Sequence, residues 1–273
     1  MTRAAVEPVP AAGHHPTPDG ADAWLQAGPQ VLVVAAVALG YLAAALHASA
    51  GARGWSRWRT AAWLLGCAVA AVALSPALAD HDPRAHMARH LLLGMVAPLG
   101  LVLGAPVTLV LRIAGAPVRR GIGRVLRSRP VHVLGHPLTA ALLNVGGLYA
   151  VMLTPLHRVA GAQPLLHLHY LAAGYLFTWA VAGPDPAPRR PGLGTRMVAF
   201  VLAAGAHAVL AKLLYADTFT SAGDAGGLRA AALLMYYGGD VAELALAVVL
   251  FTAWYRRRAG LARGAHPARA PLA

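Results

Sequence analysis

The run His86-Met87-Ala88-Arg89-His90-Leu91-Leu92-Leu93-Gly94-Met95-Val96-Ala97-Pro98-Leu99-Gly100-Leu101-Val102-Leu103 decides the fold of this chain. From Leu91 the sequence carries no charge as far as Leu111, enough for a helix to cross a bilayer core, which takes about 20 residues. His86 and His90 stand four residues apart where that helix starts, so both project from one of its faces. That is a metal-ligand spacing at a membrane surface.

The same apolar pattern recurs along the chain. Of 273 residues 58% are hydrophobic and 12% charged, a balance foreign to a soluble domain. The apolar residues come in blocks near 31–50, 60–79, 91–111, 137–153, 164–182, 197–216 and 228–255. Each block approaches the length of a spanning helix. The reading is an all-α membrane protein, a bundle of seven transmembrane helices over residues 30–258. Residues 1–29, rich in proline and without an apolar core, read as a disordered tail rather than a cleaved signal peptide. Residues 259–273 read as a basic tail.

A formal net charge of +13 raises the question of nucleic acid, but the arginines sit in the gaps between apolar blocks, with no basic face interleaved with stacking aromatics. Nucleic acid is therefore excluded as a partner, and the charge reports topology. Arg53, Arg57, Arg59, Arg112, Arg119, Arg120, Arg124, Arg127, Arg129, Arg189, Arg190 and Arg196 fall on one side with the C-terminal arginines. Only Arg3, Arg84, Arg89, Arg158 and Arg229 fall on the other. Positive charge is retained inside, which puts the N-terminus outside and the C-terminus in the cytoplasm of a multi-pass protein of the plasma membrane.

Cys67 is the single cysteine, which excludes an internal disulfide, a CxxC zinc site and a CxxCH haem attachment. A bound metal would fall to histidine, methionine or carboxylate. The outer surface collects His81, His86, His90, His157, His167 and His169, with Asp80 and Asp82 beside His81 and with Met87 and Met95 near the same helix start. Imidazole with thioether suits copper. An interfacial histidine taken singly serves equally well as a helix cap or a headgroup contact; the group, above all His86 with His90, argues for a metal. His167 and His169 are two apart and diverge on a regular helix, so one of them at most joins the others.

Deeper in the membrane lie Asp240 and Glu243, with His207 and Asn144 in other spans. A charged side chain at the bilayer centre costs about 2.5–3.5 kcal/mol on insertion scales, so the two carboxylates need a shared partner, protons or a cation. Two readings stand: a hydrogen-bonded network that fixes helix packing, or a polar relay of Asp240, Glu243 and His207. Lys212 reads as a snorkelling side chain, and His47, His132 and His136 as structural residues toward the cytoplasm. Pro98 and Pro106 break the third span, tolerated only where neighbours cover the freed carbonyls, which predicts a buried central helix.

The stretch from His86 through Ala97-Pro98, continued by Leu103-Gly104-Ala105-Pro106 to Leu111-Arg112, resembles the opening signature of the CtaG family of cytochrome c oxidase assembly proteins. This is the polytopic membrane family, not the single-span copper chaperone of the same name. Weaker similarity follows in order at His136-Pro137, around His157, at His167 and His169 ahead of a span ending at Gly183-Pro184, and at Gly238-Gly239-Asp240, so that it covers about residues 30–258. Ala97-Pro98-Leu99 departs from the expected double proline, and Tyr236-Tyr237-Gly238 from a more tryptophan-rich pattern. The resemblance implies a seven-helix protein needed to mature a haem-copper oxidase by assisting copper delivery. The family's motif histidines fall on His86 and His90, with His167 and His169 secondary.

Together these readings predict a non-enzymatic assembly factor, since no nucleophile with a matched base and oxyanion donors is present. His86 and His90, helped by one of His81, His157, His167 or His169 and by Met87, would hold copper transiently at the outer surface. Its expected partners are cytochrome c oxidase subunits, a soluble copper chaperone and the lipid bilayer. The alternatives are a copper or proton-coupled transporter working through Asp240, Glu243 and His207, and a b-type cytochrome, against which His207 shows no facing histidine.

Overall fold

The computed structural model describes residues 20–52, 54–78, 82–154, 161–216 and 225–264. Asp80, His81 and His157 lie outside the described residues, as do 1–19 and 265–273. Every regular element among the described residues is helical.

The helices are α1 (Gly20–Ser49), α2 (Arg57–Leu74), α3 (Pro83–Leu91), α4 (Ala97–Leu103), α5 (Pro106–Ile113), α6 (Ala116–Leu126), α7 (Arg129–Leu134), α8 (Pro137–Ala141), α9 (Gly147–Leu153), α10 (Gln163–Ala182), α11 (Leu193–Tyr215) and α12 (Ala225–Gly264). Helix α1 starts inside the stretch read as an N-terminal tail, and α12 runs on into the stretch read as the basic tail. Proline opens α3, α5 and α8, where its missing N–H has no intrahelical partner to lose. Asp82, an oxygen-ligand candidate by sequence, instead caps α3 by accepting the Arg84 N–H at 2.8 Å.

Five helices are long and apolar enough to cross a membrane, by length and composition: Ala27–Ser49, Pro83–Ile113, Gln163–Ala182, Leu193–Tyr215 and Gly226–Arg256. The other two apolar blocks form shorter or less apolar helices. Helix α2 has 18 residues and opens on Arg57 and Arg59, and Pro137–Leu153 is shorter still.

Of the five, Pro83–Ile113 is the most buried, as its two prolines predicted. A π-helical turn, Leu92–Val96, joins α3 to α4, with the Ala97 N–H bonded to the Leu92 carbonyl. Pro98 has no N–H to offer Gly94, and the Gly94 carbonyl lies against α10 so closely that a Cβ at Gly174 would sit 2.0 Å from it. Only glycine permits that approach.

The second break falls at Ala105, whose φ of 50° and ψ of 57° are left-handed. An L-residue pays about 1–2 kcal/mol for that conformation, and the neighbourhood holds it. The Tyr41 hydroxyl donates to the Gly104 carbonyl at 2.7 Å. Asp185, 2% exposed, accepts the Val107 N–H at 3.1 Å, the Thr108 N–H at 2.7 Å and the Thr108 hydroxyl at 2.6 Å. A carboxylate there satisfies the orphan donors of α5 and complements its dipole.

This end of the bundle also carries the arginines. Arg59 and Arg112 lie over the Trp55 ring at 5.1 and 5.8 Å, Arg190 over Trp179 at 5.9 Å, and Arg258 over Trp254 at 4.6 Å. Such pairs form a belt of the kind found at membrane–water interfaces. Arg196 donates to the Val181 carbonyl at 3.0 Å and Arg190 to the carbonyls of Gly183 and Asp185, which closes the C-terminus of α10.

Candidate functional site

A second π-helical turn, Leu142–Gly146, joins α8 to α9. It belongs to a different helical segment from the first, yet the two line one cavity. Gly94 and Met95 from one turn and Asn144 and Val145 from the other face it, together with His90, Thr178, His207 and Glu243. A π turn fits an extra residue into the helix and re-aims the side chains that follow, and such turns recur at functional sites. The cavity measures about 40 Å³, room for a few waters or for an ion.

His90 arrives from the end of α3 and is 4% exposed, and neither of its ring nitrogens has a hydrogen-bond partner among the described residues. Its ring stands edge-on to Tyr170 at 4.9 Å and faces the His207 ring at a centre-to-centre distance of 6.2 Å, tilted by 31°. His207, on α11 and 5% exposed, turns Nδ1 toward Glu243 Oε1 at 3.5 Å and leaves Nε2 without a described partner. Three buried imidazole nitrogens of this pair thus meet no polar group among the described residues, a costly arrangement at about 1–3 kcal/mol for each unsatisfied polar group. Gly239 makes the approach of α12 possible: a Cβ there would sit 2.3 Å from His207 Cε1. The Tyr149 hydroxyl, donating to the Ala206 carbonyl at 2.8 Å, ties α9 to α11 beside the histidine.

The remaining sequence candidates are distributed around this pair. His86 lies one turn nearer the N-terminus of α3 and is half-buried. Met87 packs into an apolar cluster with Leu93, Leu210 and Met235. His167 and His169 diverge as their spacing requires. Arg89 Nη1 donates to His167 Nε2 at 3.4 Å, so Nδ1 carries the proton and donates to Gln30 Oε1 at 3.3 Å. His169 instead lies against α9, where a Cβ at Gly147 would sit 2.1 Å from its Nε2.

Of the expected relay, the structure brings His207 and Glu243 into contact, and the charge of Asp240 acts on both of them. Asp240 is exposed on the outer face of α12 and has no hydrogen bond or ion pair with a described residue. Lys212 places its ammonium over the Tyr236 ring at 5.6 Å. His207 does have a facing histidine, His90, contrary to the sequence reading that it had none. Among the described residues no three His, Cys, Asp or Glu side chains are grouped closely enough to hold a metal ion by themselves.

Two residues were missed by the sequence reading. Arg89, buried inside the histidine motif, donates Nε to the Ala73 carbonyl at 2.9 Å and Nη2 to the Leu78 carbonyl, pinning α3 to the end of α2. Its signal is a cation placed where a helix enters the membrane. Asp185 offered a weaker one, an acid just after the Gly183-Pro184 end of a span.

A family model described as cytochrome c oxidase caa3 assembly factor (Caa3_CtaG) matches residues 39–257. Uncharacterized proteins of Mycobacterium bovis and Mycobacterium tuberculosis are each 37% identical over 168 residues, covering 56% of this chain and 25% of the relative. One of Mycobacterium leprae is 34% identical over 166 residues, with the same coverage. The chain thus spans about a quarter of the length of the curated relatives it matches. No solved structure matches it.

Proposed function

Because this chain belongs to the cytochrome c oxidase caa3 assembly factor (Caa3_CtaG) family, we propose that it matures that oxidase without catalysing a reaction, holding copper as cargo between His90 and His207. The observation that carries the reading is the facing pair of buried imidazoles with unpartnered nitrogens. Two imidazoles bound to one ion in a near-linear arrangement have ring centres roughly 6 to 6.5 Å apart, given a metal–nitrogen distance of about 2.0 Å. The pair stands at 6.2 Å. Neutral imidazole suits copper, and Glu243 beside His207 supplies the orienting carboxylate that metal-bound histidines commonly have. A site of two ligands rather than four also suits a carrier that must release what it holds.

In this reading the seven apolar blocks all cross the membrane and the arginine-rich end faces the cytoplasm of the plasma membrane. Copper, brought by a soluble chaperone, then enters from the outer end, past His86. A haem between the two rings is disfavoured: ligands of that size occupy pockets of roughly 300 Å³ or more, against about 40 Å³ here. Transport is the alternative reading; its relay would run through His207 and Glu243, on which the charge of Asp240 acts.

The test is Cu(I) binding by the purified protein, measured by competition with a chromophoric chelator, alongside oxidase activity in cells. His90→Ala and His207→Ala are each expected to abolish binding and to lower oxidase maturation. Undiminished binding in a folded double variant would overturn the site.

A further inference from the structure

We propose that the outer face of α12 around Asp240 is a docking surface for a membrane helix of a different protein, one that presents a cationic or hydrogen-bond-donating side chain at mid-membrane depth. The inference rests on the assembly reading only for the identity of that protein, an oxidase subunit.

Asp240 lies midway along the span Gly226–Arg256. Its neighbours at helical spacing, Tyr237, Leu244 and Val248, are all exposed, Tyr237 at 64% and Leu244 at 67%. The face is therefore apolar except for one carboxylate, and the hydrocarbon around it has no donor to give. No described residue supplies one either: Lys212, on the adjacent α11, is turned to Tyr236. Beyond Asp240 the open surface of α12 continues through Leu244, Ala247, Val248, Phe251, Thr252 and Tyr255 to Arg256. Ala247 and Thr252 leave room on it for a second helix to approach, as small residues do in membrane packing.

A second copy of this chain fits poorly. A parallel twofold pair about this face sets Asp240 against Asp240 at equal depth, where the two carboxyls can meet only by retaining a shared proton. Charge complementarity calls for a different helix with a donor at that level. The face also adjoins the candidate copper site, since Glu243 follows Asp240 by one turn and reaches His207. A helix docked there sits at the rim of the cavity, within the membrane rather than at its surface.

The experiment places a photocrosslinking residue at Leu244 in the full chain, in native membranes, with the same residue at Leu32 on the exposed face of α1 as control. The expected result is a crosslink from Leu244, and not from Leu32, to an oxidase subunit, weakened roughly three- to tenfold in Asp240→Leu, the range for one interhelical polar contact. Asp240→Leu is expected to keep its thermal stability in detergent. Crosslinking unchanged by Asp240→Leu, or a product containing only this chain, would overturn the proposal. A Leu244 crosslink to some other membrane protein, lost in Asp240→Leu, would uphold the surface and instead refute the assembly reading's choice of partner.

Discussion

The rings of His90 and His207 face each other across the cavity at 6.2 Å with no described hydrogen bond between them and a carboxylate behind only one. Such a pair contributes little to folding, because its nitrogens are desolvated without being satisfied. Replacing His90 by Leu removes two unsatisfied polar atoms and keeps apolar contact with Tyr170. The expected outcome is a Tm in detergent equal to or above that of the natural chain, with Cu(I) binding lost. A large fall in Tm would mean that His90 is a packing residue and would remove the main support for a site there.

Gly239→Ala tests the same pair without touching a ligand. The new Cβ would lie 2.3 Å from His207 Cε1, so either the ring or α12 must move. Overpacking of this kind costs about 1–3 kcal/mol. We expect a lower Tm together with weaker Cu(I) binding, read by thermal unfolding and by the chelator competition. A Tm loss with full binding would show that the imidazole can move and still serve.

Much of this arrangement was legible in the chain. Pro98 and Pro106 predicted an interrupted, buried central helix, and the four-residue spacing placed His86 and His90 on α3. The spacing could not tell which of them turns inward, since that depends on α12 packing against α3. The π turns removed more information. Each adds about one residue to a helix, a shift of roughly 100°, so faces counted at 3.6 residues per turn are misassigned beyond Leu92 and Leu142. That His90 would meet His207 from α11, rather than His167 from α10, is a fact of tertiary packing that no local pattern encodes. Asp240 and Glu243 stand three residues apart, an angle that puts Glu243 at the cavity and leaves Asp240 exposed, while the charge of Asp240 still acts on Glu243.

Arg89 separates motif residues that hold the fold from those that serve function. Its guanidinium bonds the carbonyls of Ala73 and Leu78 and reaches His167, a forked geometry that an ammonium cannot reproduce. Arg89→Lys is expected to destabilise the protein by about 1–3 kcal/mol, the range for buried charge-assisted hydrogen bonds, and to lower its abundance in membranes. Cu(I) bound per folded molecule should stay unchanged, measured on the fraction surviving size-exclusion chromatography. Loss of binding in that fraction would tie Arg89 to the site itself.

The side from which cargo enters depends on which end of the bundle faces out. Cys67 is buried, so an introduced cysteine reports alone. Thr154→Cys and Ala116→Cys are both exposed positions, one after α9 and one at the start of α6, and neither changes a charge that sets orientation. With seven spans and the arginine-rich end inside, a membrane-impermeant maleimide should label Thr154→Cys in intact cells and Ala116→Cys only after permeabilisation. The reverse pattern would put the His86 end in the cytoplasm, and copper would then have to come from within the cell. Labelling of both from outside would mean that α8 and α9 do not together cross the membrane, and that the cavity they line opens nearer to water than a buried imidazole pair requires.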